Sequence, residues 1–246
     1  MTRASRRVLV VGASSGIGRS LAVSLGRQGD RVALVARRPD HLDAAVAEAG
    51  AGAVGLVGDA ADGEACAELV GGAALALGGL DAVVYAAGVS PLGSVATTSA
   101  SAWREVLATN VVGAALVVSA ALVHLRTADR PACVLLSSHS VDRPWPGLVP
   151  YAAGKAGLDA LATGLRAEEP WLRVVRVVVG PTATSFADGW DPELAGPYFE
   201  RWAAEGYLAH RVLEPAEVAG RIVAVLDGSD PSDVVQAVGE SPGGAG

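Results

Sequence analysis

Short apolar runs without polar interruption recur along the chain, at Val8–Val11, Val32–Ala36, Ala82–Tyr85 and Val134–Leu136. A fifth, Val174–Val179, is broken only by Arg176. Strands that face water on one side alternate apolar and polar residues, whereas runs of this kind are buried on both faces, as in a parallel sheet covered by helices. Between the runs lie stretches of helical periodicity. Leu21, Ala22 and Leu25 recur at helical spacing after the first run, and Asp40–Ala49 and Glu64–Leu77 read as helices. This βα alternation predicts an α/β fold, doubly wound, with a mostly parallel central sheet flanked by helices on both faces.

The chain has 246 residues, of which 51% are hydrophobic, enough to bury a sizeable core within one domain spanning 1–246. It shows no internal repeat, charged block or Pro/Ser-rich linker, and only the glycine-rich tail 239–246 reads as disordered. The net charge of −7, with no Lys/Arg cluster, argues against a nucleic-acid partner. Thr2–Arg7 leads into the first strand without an apolar signal segment, so a cytoplasmic protein is expected. The longest apolar run, Val111–Leu125, is too short to span a bilayer and reads as a helix buried on several sides. Being apolar round most of its circumference, it predicts a homodimer or homotetramer and no membrane partner. Cys66 and Cys133 are expected to be buried rather than bridged, and the four scattered His residues offer no metal site.

Two motifs carry candidate chemistry. After Val11 stands Gly12-Ala-Ser14-Ser15-Gly16-Ile17-Gly18, a glycine turn between a strand and a helix. Such a turn lets the backbone approach a pyrophosphate at a helix N-terminus. Further on, Tyr151 and Lys155 stand at i and i+4, one turn apart on the same helix face, with Ser138 upstream. A phenol titrates near 10, and a neighbouring ammonium is expected to bring it down toward the working range of an acid/base.

Together these residues resemble the short-chain dehydrogenases/reductases of the compact, single-domain type. That family carries Gly-x-x-x-Gly-x-Gly after its first strand, matched by Gly12, Gly16 and Gly18. Its Asn in the helix after the fourth strand is matched by Asn110 in Leu-Ala-Thr-Asn-Val-Val-Gly, and its strand-ending Ser by Ser138. Its Tyr and Lys are matched by Tyr151 and Lys155, so all four catalytic positions are filled, and the likeness covers roughly residues 6 to 238. It implies a Rossmann-type fold and a nicotinamide cofactor. Cofactor contacts would come from Gly12 to Gly18, from Asp59 and Ala60 near the adenine, and from Ala87 and Gly88. Gly180, Thr182 and Thr184 would add contacts on the nicotinamide side. Two departures stand out: the family's Asn-Asn-Ala-Gly reads Tyr85-Ala86-Ala87-Gly88, and its Pro-Gly after the sixth strand reads Val179-Gly180. The missing Asn at 86 questions local rigidity more than activity.

After the second strand the chain reads Val35-Ala36-Arg37-Arg38, where NADH-preferring enzymes place an acid for the ribose hydroxyls. Two guanidiniums suit a 2′-phosphate, so NADP(H) is expected over NAD(H). The resemblance implies hydride transfer between nicotinamide and a carbonyl or secondary alcohol. Tyr151 would act as acid/base, Ser138 would bond the reacting oxygen, Lys155 would hold the nicotinamide ribose, and Asn110 would position a water. Six of the eleven aromatic residues (five Trp, four Tyr, two Phe) fall between Phe186 and Tyr207. That region, about 183–212, reads as a substrate lid over an apolar or aromatic pocket. Phe186, Trp190, Trp202, Trp145 and His139 are the candidate substrate contacts. The competing function classes are an isomerase, epimerase or lyase with bound nucleotide, and a non-catalytic nucleotide-binding scaffold.

Overall fold

The structure is a computed structural model that describes residues 5–208 and 211–239. The chain runs through β1 (Arg7–Val11), α1 (Gly16–Arg27), β2 (Arg31–Ala36), α2 (Pro39–Ala49), β3 (Ala53–Val57), α3 (Gly63–Leu77) and β4 (Ala82–Tyr85). Then follow α4 (Ala100–Leu107), a π turn (Ala108–Val112), α5 (Gly113–Leu125), β5 (Ala132–Ser138) and α6 (Val149–Glu168). The chain continues with β6 (Arg173–Val179), α7 (Pro192–Ala204), α8 (Pro215–Asp227) and β7 (Val234–Ala237). All seven strands pair in parallel, in the order β3-β2-β1-β4-β5-β6-β7. The doubly wound α/β fold expected from the apolar runs is the fold observed.

Alternate residues of each central strand feed two separate cores. Val8, Val10, Val32, Leu34 and Val84 pack with Leu21 and Leu25 of α1 and Ile222 of α8. Leu9, Val11, Val83 and Leu135 pack on the other face with α3, α5 and α6, through Val70, Val117 and Leu158. The five predicted strands and two predicted helices appear with ends shifted by no more than a few residues. Asp62 caps α3 by accepting from the amides of Glu64 and Ala65, and Gly78 ends it at φ +75. The edge strands β3 and β7 carry no unbroken apolar run: β3 contains Gly55, and β7 alternates exposed and buried residues.

One expectation is corrected. Val111–Leu125 alone is too short for a bilayer, but α4, the π turn and α5 form one continuous 26-residue helix, Ala100–Leu125. By length and composition that helix is long and apolar enough to cross a membrane. In the fold Val106, Ala114, Val117, Val118, Ala121 and Leu125 are buried, while Leu107, Val112 and Val123 are exposed. Cys66 and Cys133 are both buried and unbridged. The expectation for the tail 239–246 falls, apart from Gly239, on residues outside those described.

Candidate active site

In the sheet, β1 connects to β2 on one side while β4 continues on the other, so a crevice opens at the carboxyl ends of β1 and β4. A cleft of about 500 Å³ occupies it. Gly12 turns the chain out of β1 at φ +84, and a Cβ there would lie 2.5 Å from the Ala87 nitrogen. A Cβ on Gly18 would lie 2.3 Å from the Gly12 carbonyl oxygen, so the turn closes on itself only with glycine. Ser15 makes no capping bond to α1, and Gly16, Ile17 and Gly18 line the cleft. Bare backbone at an uncapped helix N-terminus fits a pyrophosphate.

The two arginines part company. Arg38 precedes α2 and folds back over the glycine turn, its Nη2 3.2 Å from Ser15 Oγ and 3.4 Å from Ser14 Oγ. Arg37 points to Asp59, with Nη1 3.9 Å from the carboxylate, both side chains about half exposed. Asp59 also accepts from the Ala61 amide at 2.9 Å, capping its own loop. Arg37, Arg38, Asp59 and Ala60 line the same end of the cleft. The donor set of this crevice therefore fits a dinucleotide.

At the other end lie Tyr151 and Lys155 of α6, one turn apart, together with the end of β5. Lys155 is buried and donates to the Leu136 carbonyl at 2.7 Å. Burial brings its ammonium down to about 8, partly offset by Asp159 one turn on. Burial pushes the Tyr151 phenol up to about 12, and its hydrogen bonding with Ser138 draws it partly back. The expected lowering of the phenol by Lys155 is therefore corrected for this state of the protein. The ammonium sits 5.7 Å from the ring centre and is engaged by a strand carbonyl, so desolvation decides. Ser138, at the end of β5, accepts from the Ser140 amide at 3.1 Å and from Ser140 Oγ at 2.9 Å.

Asn110 is fully buried in the π turn. Its Oδ1 accepts from the Val89 amide at 2.9 Å and its Nδ2 donates to the Val89 carbonyl at 3.0 Å. Both ends of the carboxamide are thus committed to the loop after β4. Its oxygen, the Lys155 ammonium and Gly88 meet closely, since a Cβ on Gly88 would lie 3.5 Å from Asn110 Oδ1 and 3.4 Å from Lys155 Nζ. Tyr85 fills the first Asn position of the departing motif, and its phenol donates to the Thr109 carbonyl in the π turn.

The remaining candidates divide. Ala87, Gly88 and Thr184 line the cleft, whereas Gly180 packs on Val238 and Thr182 bonds back to Gly180, away from it. Phe186 lines the cleft and meets Tyr151 edge-on, with centroids 5.0 Å apart. Trp190 stacks against Phe186 at 5.5 Å and donates its indole N–H to the Ser90 carbonyl. Trp202 is 1% exposed and bonds the Pro146 carbonyl, with Trp145 packed on it at 5.2 Å. Those two rings pack on each other, and neither they nor Trp190 and His139 line the cleft, where all four were expected as substrate contacts. The sequence reading passed over Ser137, Val89, Ser90, Asp188 and Gly189, which do line it. Ser137 stood beside a catalytic candidate, and its place on the last strand turn was the available signal.

The sequence profile of the short chain dehydrogenases matches residues 6–194. The chain belongs to the short-chain dehydrogenase family. Glycine betaine reductase ATRR of Emericella nidulans is 32% identical over 224 residues, covering 89% of this chain and 17% of that protein. The chain thus spans a small part of that relative's length. The inactive 2-(S)-hydroxypropyl-CoM dehydrogenase 2 of Xanthobacter autotrophicus is 36% identical over 206 residues, covering 81% of this chain and 88% of that one. The crystal structure of a dehydrogenase/reductase from Sinorhizobium meliloti 1021 superposes with a TM-score of 0.81 at 28% identity, over 96% of this chain and 95% of its own. As a short-chain dehydrogenase the protein belongs to a family of oxidoreductases that bind a nicotinamide cofactor and act on small molecules.

Proposed function

We propose that this short-chain dehydrogenase is an NADPH-dependent reductase of ketones or aldehydes, equally an alcohol dehydrogenase in reverse, with Tyr151 as its acid/base. One observation carries the reading: a single cleft has Arg37 and Arg38 at one end and half-buried Tyr151 beside buried Lys155 at the other. NADPH, when bound, would supply the hydride for the carbonyl carbon. Tyr151 gives its phenolic proton to the carbonyl oxygen, which becomes the alcohol, and regains a proton afterwards. Ser138 donates a hydrogen bond to that oxygen as negative charge gathers on it. Lys155, held on the Leu136 carbonyl, places a positive charge beside the phenolate left behind.

Arg38, lying over Ser14 and Ser15, is the first candidate for a 2′-phosphate, with Arg37 held nearby by Asp59. Phe186, backed by Trp190, walls the reacting end with apolar surface, which favours an apolar or aromatic substrate. The proposal includes a cytoplasmic homodimer or homotetramer, in which the exposed Leu107, Val112 and Val123 are covered. Light scattering at micromolar concentration that returns a monomer removes that part.

The decisive experiment follows reduced-nicotinamide absorbance across a panel of aliphatic, aromatic and cyclic ketones, with NADPH and NADH in parallel. Turnover with NADPH is the expected result. Nucleotide binding without any oxidation would instead favour the scaffold reading, to which the likeness to a dehydrogenase named inactive lends some weight. Substrate conversion without net oxidation would favour an isomerase, epimerase or lyase.

A further inference from the structure

The Ser138 hydroxyl has one hydrogen to give and two lone pairs to receive with, like any serine. Both lone pairs are occupied from one residue: the Ser140 amide donates to Ser138 Oγ at 3.1 Å, and the Ser140 hydroxyl donates to it at 2.9 Å. The cause is local. β5 ends at Ser138 and the chain turns directly into the short 3₁₀ turn His139–Val141, which brings residue 140 back over the side chain of residue 138. Ser138 is 8% exposed and Ser140 is 5% exposed, so water does not compete freely for these bonds.

We propose that Ser140 is a positioning residue that fixes the Ser138 hydroxyl as a donor toward the reacting oxygen. The inference rests on the carbonyl-reductase reading above and deepens it. Two hydroxyls facing each other, those of Ser138 and Tyr151, can bond in either direction. With its acceptor sites filled from Ser140, Ser138 is left only the direction in which it donates. Tyr151 therefore does not lose its own hydrogen to Ser138 and keeps it for the substrate. Both hydrogens then converge on a single oxygen, which matches the two lone pairs of a carbonyl. Accepting two bonds also polarises the Ser138 hydroxyl and makes it a better donor.

Ser140 touches neither substrate nor cofactor in this account, so its effect must pass through Ser138. The test is a double-mutant cycle of Ser140→Ala and Ser138→Ala, alone and combined, with Ser140→Thr as the variant that restores a hydroxyl. Two readouts are taken. Protein labelled with [¹³Cζ]tyrosine gives resonances from four tyrosines, and Tyr151→Phe identifies that of Tyr151. Steady-state kinetics on a ketone that the protein reduces give kcat and the KM for NADPH. Ser140→Ala is expected to shift the Tyr151 resonance and lower kcat roughly 2- to 12-fold, the weight of one hydrogen bond, with KM for NADPH unchanged. Both effects should vanish in the Ser138→Ala background, and Ser140→Thr should restore both. An unmoved Tyr151 resonance in Ser140→Ala, or equal effects with and without Ser138, overturns the proposal. If the unaltered protein binds NADPH but reduces no ketone, the functional reading falls, while the resonance cycle still decides the role of Ser140.

Discussion

The phenol of Tyr85 donates a 2.5 Å hydrogen bond to the main-chain carbonyl of Thr109, joining the end of β4 to the π turn that carries Asn110. A π turn breaks the regular i→i−4 ladder of a helix, and the carbonyls it frees need other partners. Tyr85 supplies one from the neighbouring strand. A Cβ on Gly113 would lie 2.5 Å from the Tyr85 hydroxyl oxygen, so the bond needs a glycine one turn on. Local bracing lost with the missing Asn at position 86 is in this way provided by the residue before it.

Tyr85→Phe removes that donor and keeps the ring. Leaving the Thr109 carbonyl unpaired should cost about 1–3 kcal/mol of stability. The expected result is a melting temperature lower by several degrees, read by calorimetry or circular dichroism. A variant that melts at the unaltered temperature would show that the bond contributes nothing.

Tyr151→Phe is the sharpest test of the proposed chemistry. It removes a hydroxyl and almost no volume, and the edge-on packing of Phe186 should survive. Ketone reduction should fall ~10²–10⁴-fold, the usual effect of losing a general acid, with NADPH affinity kept. Lys155→Ala should damage rate and affinity together. Near-native turnover in Tyr151→Phe would remove it from the mechanism.

The arginines should differ in their effect. Arg38→Ala removes the guanidinium that lies over Ser14 and Ser15, so NADPH binding should weaken while NADH binding changes little. Arg37→Ala should have a smaller effect, because that side chain is drawn toward Asp59. Fluorescence titration with the two cofactors measures both. Equal losses for NADPH and NADH would mean that neither guanidinium reads the 2′-phosphate.

Lys155 and Tyr151 should leave opposite marks on stability against pH in the cofactor-free protein. Lys155 is lowered from 10.5 to about 8, so between those values the unfolded chain holds a proton that the folded protein lacks. Stability from this group therefore rises with pH across that window. Tyr151 is raised from 10.0 to about 12, so there the unfolded chain has lost a proton that the folded protein keeps, and stability falls. In denaturant melts, the stability of the unaltered protein relative to Lys155→Met should rise with pH between about 8 and 10.5. An identical profile in the two would mean that Lys155 titrates normally.

How much was legible in the sequence depended on whether the cause was local. β1 and β4 were readable because their residues are apolar on both faces, and the glycine turn because its spacing is a local demand of the chain. β3 and β7 were not, since edge strands are covered on one side only and their pattern weakens accordingly. The π turn depends on a bond between residues 24 apart in sequence. Aromatic composition marked out the region 183–212, but which rings face the cleft depends on packing, and Trp190, Trp202 and Trp145 do not line it. The direction of the Tyr151 shift needed the partner of Lys155, a strand carbonyl that i, i+4 spacing does not reveal.

The two bonds between Asn110 and Val89 are those that one peptide group makes with another in a ladder: one donor, one acceptor, side by side. The carboxamide is in effect a length of backbone lent by a helix to the loop that leaves β4, extending hydrogen-bonded pairing to where no neighbouring strand reaches. Aspartate has the same shape but lacks the N–H, so it would turn the bond to the Val89 carbonyl into a meeting of two acceptors. Glutamine has both groups and one methylene too many. Where a helix must stand in for a strand, only one of the twenty side chains has the right length and the right pair of atoms.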